Sequence, residues 1–373
     1  MSRTRTLSLL GAALMALALT VTAGSATAAK PPKIGHVFVI MLENESFDST
    51  FGPTSKAPFL SKTLPAKGAF VPNYYGITHV SQGNYTAMIS GQGPTPQIQA
   101  DCPVFSDFTQ TGMGADGQLL GTGCVYPASV KTLANQLQAK RLTWGGYMED
   151  MGNIPTREPA TCGHPALGTA DPTGRATVGD QYATKHNPFV YFHSIIDTPS
   201  CAANDVPLPR LAKDLRSVKK TRNFSMIVPN LCHDGHDEPC VDGQPGGLVS
   251  ADAFLKTWVP RITSSPAFKK DGLLIVTFDE AEAAGPGADS SACCNPPTYP
   301  NVPNNALVTP GPGGGKIGAV MLSRFIKPGT KSTKSYNHFS FLASMETNFG
   351  LKKLGYAARP GLTTFGKDIF TKK

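Results

Sequence analysis

Although it carries eight cysteines, at positions 102, 124, 162, 201, 232, 240, 293 and 294, the chain has no Cys-x-x-Cys pair. The adjacent Cys293 and Cys294 do not supply one, so disulfides are expected ahead of a zinc site. A dense run of Lys or Arg is missing as well. The short cluster Lys219, Lys220 and Arg222 reads as a solvated helix end, and no nucleic-acid partner is expected. A membrane span needs roughly 20 apolar residues. The candidate stretch, Leu9 to Ala23, is broken by Gly11 and several threonines. Peripheral membrane contact is the most that is expected. With 38 Gly and 32 Pro, long connecting loops are expected, short of the composition of a disordered chain.

What is present begins with an export signal. Arg3 and Arg5 precede the apolar stretch, and Ala26-Thr27-Ala28 has the small-x-small pattern of a cleavage point. Residues 1–28 are therefore expected to be a secretory signal peptide, residues 29–373 a single domain, and the protein secreted and extracellular. Removing Arg3 and Arg5 lowers the formal charge of +8 by two, which leaves only a mild basic balance. An even number of cysteines in an oxidising compartment implies disulfides, with Cys102–Cys124 and Cys232–Cys240 as plausible partners.

The organising stretch is His36 to Gly52, HVFVIMLENESFDSTFG. Val37 to Leu42 shows no polar alternation and reads as a strand buried on both faces. Further strands are expected over Trp144–Met148, Phe224–Val228, Gly272–Phe278 and Ile317–Leu322. Helices are expected over Val130–Leu142, Asp205–Lys220, Ala251–Ile262 and Ser340–Phe349, the last ended by Gly350. The span 285–315, rich in Gly, Pro and Asn, reads as a long loop.

Three of these strands end in acids, amides or histidines: Glu43 and Asn44, His233 to Asp237, and Asp279 with Glu280. Parallel strands joined by crossovers bring such ends to one edge of a sheet, where ligands collect. Acids crowded there call for a cation. Carboxylate and amide oxygens suit Ca²⁺, Mg²⁺ or Mn²⁺, whereas Zn²⁺ would draw the histidines in. Ser81 stands where a helix N-cap would, either as a plain capping serine or facing free backbone N–H groups that favour phosphate and an alkoxide. With a cation beside it, the Ser81 hydroxyl becomes a nucleophile, Asn84 a donor to a phosphate oxygen, and His236 or His338 a general acid. His186 is either a phosphate contact or a polar residue at a loop mouth.

These residues lie in segments that resemble the bacterial phosphoesterase family of secreted acid phosphatases and phospholipases C. The likeness runs through ENESFDSTFG, SQGNYTAMISG, HNPFVYF, PNLCHDGHD, LLIVTFDEAE and YNHFSFLASMETNFGL, in order, over nearly the whole chain after the signal. It is nearest to actinobacterial secreted acid phosphatases, some of which act on phosphatidylinositol 3-phosphate. The resemblance implies an α/β, alkaline-phosphatase-like three-layer sandwich with a mostly parallel central sheet flanked by helices. It implies Glu43, Asn44, Asp279 and Glu280 as ligands of a divalent ion (Ca, Mg, Mn or Zn). Ser81 would form a phosphoseryl intermediate beside Asn84, and His186 and Asp237 would lie on the substrate side. Gly83 stands where many relatives have proline, a departure that would loosen the nucleophile loop, and His233 where Asn is common. The expected function is a secreted phosphomonoesterase acting on a phosphorylated small molecule or phospholipid headgroup, with phosphatidylinositol-3-phosphatase among the activities the resemblance allows. A phospholipase C type phosphodiesterase is the alternative. A non-catalytic exported binding protein would have no need of Ser81.

Overall fold

The computed structural model describes Met1 and residues 32–302 and 312–372. The expected signal peptide and part of the expected long loop lie outside them. Eight strands form the main sheet: β1 (His36–Leu42), β2 (Ala69–Val71), β3 (Trp144–Met148), β4 (Asp205–Pro207), β5 (Phe224–Val228), β6 (Gly272–Phe278), β7 (Ala319–Ser323) and β8 (Thr330–Lys331). Their order is β8-β2-β7-β6-β1-β5-β3-β4. Every neighbouring pair is parallel except the two made by β7. The continuous apolar runs of β1, β5 and β6 follow from this position, since a central parallel strand is covered on both faces. All seven residues of β1 are buried, as are all seven of β6.

Helices cover both faces, and two aromatic pairs show it. Phe38 on β1 is paired with Ser225 on β5, so Phe38 and Phe224 point to opposite sides of the sheet. Phe38 meets Phe268 of the helix Pro266–Asp271 at 6.4 Å between ring centroids, and Phe224 meets Phe341 of the helix His338–Phe349 at 6.4 Å. The architecture is α/β with a mostly parallel sheet between helical layers.

Register positions the functional edge. Leu42 pairs with Phe278, so Glu43 and Asp279 leave adjacent strands side by side. The Asp279 amide donates to the Leu42 carbonyl at 2.9 Å, and the Glu43 amide to the Asp234 carbonyl, also at 2.9 Å. The turn after β5 is thereby tied to the end of β1.

The helix expected over 205–220 is corrected: Asp205–Pro207 is the edge strand β4, and only Pro209–Asp214 is helical. Pro207 and Pro209 explain this. Proline suits an edge strand and a first helical turn, and it disfavours helix in the residue before it. All eight cysteines are paired, as Cys102–Cys124, Cys162–Cys201, Cys232–Cys240 and Cys293–Cys294. The described part of 285–315 carries no helix or strand.

Ile40 is fully buried in β1 between β5 and β6. Ile40→Ala is expected to lower stability by about 2–5 kcal/mol, read as a shift of the urea midpoint at unchanged m-value.

Candidate active site

Ser81 opens α1 (Ser81–Ser90), a helix in which every residue is buried. A helix buried all round is held by its surroundings, here the His338–Phe349 helix and the short turns over 184–191. The N-cap is Val80, which corrects the expectation that Ser81 caps the helix. Val80 has φ 142°, a conformation that costs a β-branched residue on the order of 1–3 kcal/mol. Two neighbours hold it there. The Val80 amide donates to both Glu280 carboxylate oxygens at 3.0 Å. Asn84 Oδ1 accepts from the Ile77 amide at 2.9 Å and the Thr78 amide at 3.3 Å, while its Nδ2 donates to the carbonyls of Thr78 (2.8 Å) and Val80 (3.3 Å). Both Asn84 donors are spent on the loop, so its expected role as a phosphate donor is corrected: it braces the turn that presents Ser81. Gly83 lets Thr78 pack against the helix, since a Cβ there would lie 2.6 Å from Thr78 Cγ2.

With the turn held in this way, Ser81 Oγ donates to Glu43 Oε2 at 2.7 Å. The other Glu43 oxygen accepts from the Tyr85 hydroxyl one turn along α1. Asn44, with φ 50°, turns its amide onto Asp279 Oδ1 at 3.1 Å. His186 lies between two carboxylates, its Nε2 3.3 Å from Glu43 Oε2 and its Nδ1 3.4 Å from Asp234 Oδ2, and its ring stacks on Tyr85 at 5.5 Å. Neither approach has hydrogen-bond geometry. Both ring nitrogens, Asp234 Oδ2, Asp279 Oδ2 and Asn44 Oδ1 are left buried without a partner.

Burial dominates the electrostatics. It raises Glu43 well above the usual carboxylate range, reinforced by Asp279 and Asp234, and lifts Asp279 to about 6 and Asp234 to about 7. Glu280 is raised for the same reason, with Asp279 adding to it. His186 is pushed well below its ordinary value by burial and by the Lys185 and His236 charges, so its imidazole is neutral. Unpaired oxygens on carboxylates that resist ionisation are what a cation would relieve. Glu43, His186 and Asp234 offer ligand atoms within 4.8 Å of one another, and Asn44 and Asp279 flank them. The donor set therefore fits a divalent ion. Cys232, Cys240 and Asp242 also cluster, but the sulfurs are tied in a disulfide.

The remaining expected residues divide. His236 has its Nδ1 2.7 Å from Asp237 Oδ1, and this bond, ahead of the opposing effect of burial, raises its pKa. Its ring lies 6.3 Å from that of His186, and its side chain is 32% exposed, which places it at the rim. Asp237 thus orients His236. His338 is corrected: fully buried and lowered to about 4, it places Nε2 2.5 Å from the Asp279 backbone carbonyl and braces that residue instead of donating a proton to a leaving group. Glu280 reaches back to the Val80 turn, with His79 Nδ1 2.7 Å from its Oε2. Asp234, Tyr85, His79 and Lys185 are the residues without an assigned role in the sequence reading. Asp234 had a signal, being one of four polar residues packed into 233–237.

A hydroxyl at a helix N-terminus, hydrogen-bonded into an oxygen-rich, cation-seeking centre at the carboxyl edge of a parallel sheet, defines the class of site. The chain belongs to the Phosphoesterase family, whose model matches residues 54–352. Among its relatives is the phosphate-repressible acid phosphatase of Penicillium chrysogenum, 28% identical over 322 residues, covering 85% of this chain and 59% of that protein. Another is a phosphatidylinositol-3-phosphatase of Mycobacterium tuberculosis, 25% identical over 340 residues, covering 90% of this chain and 84% of that protein. The chain thus spans under two thirds of the length of the fungal relative. Among solved structures, a protein in the alkaline phosphatase superfamily from Vibrio parahaemolyticus aligns with a TM-score of 0.49 and 15% identity, over 89% of this chain and 72% of that chain.

The raised carboxylates predict a pH effect whose sign is fixed. A folded-state Asp234 near pH 7 against an ordinary 3.8 means that the cation-free fold is favoured at low pH and loses that contribution as pH rises from about 4 to 7. Asp234→Asn is expected to raise the melting temperature of chelator-treated protein at pH 8 while weakening divalent-ion binding in calorimetry. Wild-type affinity for the ion should fall from pH 8 to pH 5, as protons compete for the same oxygens.

Proposed function

We propose that this chain is a secreted, cation-dependent phosphomonoesterase in which Ser81 is the nucleophile. The observation that carries the reading is the 2.7 Å hydrogen bond from Ser81 Oγ to Glu43 Oε2, at the N-terminus of a buried helix and beside unpaired ligand oxygens. The acid phosphatases among the relatives support the reaction class. Glu43, Asn44, Asp234 and Asp279 would hold the ion, the expected Glu280 being spent on the Val80 amide and His79; the ion when bound supplies positive charge to phosphoryl oxygens and eases ionisation of the neighbouring hydroxyl.

Glu43 takes the Ser81 proton as Oγ attacks phosphorus. The Oγ–P bond forms and the ester P–O bond breaks. The leaving oxygen receives its proton from His236, which Asp237 keeps charged and oriented. Neutral His236 then takes a proton from water as the water oxygen bonds phosphorus and the Oγ–P bond breaks; Glu43 returns its proton to Ser81 Oγ, so that phosphate leaves with both residues restored. Asn84, Glu280 and His79 keep the Val80 turn rigid, so that Oγ stays aligned.

The substrate class is a phosphomonoester on a small molecule or a phosphoinositide headgroup. The mycobacterial phosphatidylinositol-3-phosphatase, of which the chain spans 84%, supports including the second. Four disulfides and the leader-like residues 1–28 support export.

Purified protein is expected to hydrolyse p-nitrophenyl phosphate and a phosphoinositide, with activity lost to chelator and cut at least about 10³-fold by Ser81→Ala. Turnover of phosphodiesters alone would replace this reading with a phospholipase C. Retained ion binding with no turnover would leave a binding protein. His236→Asn should slow alkyl phosphates about 10²-fold or more and p-nitrophenyl phosphate far less, since a good leaving group needs little protonation.

A further inference from the structure

Lys185 is a cation that acts on the acid cluster and that the reaction above leaves without a task. It lies in the turn Thr184–His186, immediately before the histidine wedged between Glu43 and Asp234. Its side chain is only 12% exposed, unusual for a lysine. Nζ bonds Asp101 Oδ2 at 3.0 Å, and the other Asp101 oxygen accepts from the Gln82 amide at 3.2 Å, in the first turn of α1. Asp101 is itself fixed, with φ 55° next to the Cys102–Cys124 disulfide. The ammonium is thus pinned to the helix end that presents Ser81. Its charge is felt by Glu43, Asp234, Glu280, His186 and His236. Of its three N–H donors, Asp101 takes one, and no other acceptor is found among the described residues.

A lysine is costly to bury, and one salt bridge to a carboxylate repays that cost only in part. Two unspent donors on an ammonium tied through Asp101 to the residue after Ser81 are what a phosphoryl group, with its anionic non-bridging oxygens, would complete. The same ammonium discriminates by charge, since a phosphomonoester presents a dianion and a phosphodiester a monoanion. We propose that Lys185 is a catalytic residue that binds a non-bridging oxygen of the substrate phosphoryl group and favours monoesters over diesters, with Asp101 as its positioning residue. This rests on the phosphatase reading, and the first test below separates the two.

In the Ser81→Ala protein loaded with divalent ion, inorganic phosphate binding is measured by calorimetry with and without Lys185→Gln. A loss of affinity of about tenfold or more supports the proposal whether or not turnover exists, and unchanged affinity overturns it. In the protein carrying Ser81, Lys185→Gln is expected to lower kcat/KM for a phosphomonoester about 10²–10³-fold and for a phosphodiester less than tenfold. Equal losses on both would assign Lys185 a structural role and overturn the proposal. Lys185→Met, which keeps the stem and drops the charge, is run in parallel with melting curves, so that a folding defect in one variant does not decide the result. Lys185→Arg should restore phosphate binding to within about tenfold, because the charge and donors return. Asp101→Asn should weaken phosphate binding less than Lys185→Gln does.

Discussion

The structure is governed by the cost of burying several carboxylates in one crevice. Glu43, Asp234 and Asp279 are fully buried and Glu280 nearly so, at 4% exposure. Burial raises each above the ordinary carboxylate range, because the low-dielectric interior penalises the charge, and neighbouring carboxylates add to this at Glu43, Asp234 and Glu280. Such an assembly is poor design for stability alone. It becomes sensible when a cation supplies the missing charge, and it then concentrates field where a phosphoryl group would sit. The parallel core is what makes the crowding possible, since β1, β5 and β6 deliver their polar ends to the same edge in matched register.

Around that centre the fold invests in rigidity. The Val80 turn is held from two sides, by Asn84 within α1 and by Glu280 from the neighbouring strand end. Glu280 is in turn bonded to His79, whose other ring nitrogen lies 3.0 Å from Ser290 Oγ. His338 fixes the Asp279 backbone from behind. These groups surround Ser81, whose hydroxyl bonds Glu43 and none of them. Their consequence is that the turn presenting the Ser81 hydroxyl is held in one conformation.

The parts legible in the sequence were those written in contiguous pattern. Unbroken apolar runs marked β1, β5 and β6, and the polar residues directly after them marked the functional edge, because a strand end has one place to go in a parallel sheet. Asn84 and His338 were misread for a common reason. Amide and imidazole groups serve equally well as braces or as donors to substrate, and only the identity of their partners distinguishes these uses. Nothing in the sequence set Lys185 apart, because its burial and its bond to Asp101, 84 residues away, depend on packing.

By itself, the sequence determined the strands, the kind of atoms at their ends, and the presence of a serine within a recognisable segment. Those properties depend on residue type and local spacing, which the chain states directly. The tertiary structure alone decided that Asp234 and His186 face Glu43, that Asn84 spends both donors on the backbone, and that His338 is neutral and hidden. Hydrogen bonds and desolvation depend on which groups from distant segments come within a few ångströms, and that is set by packing.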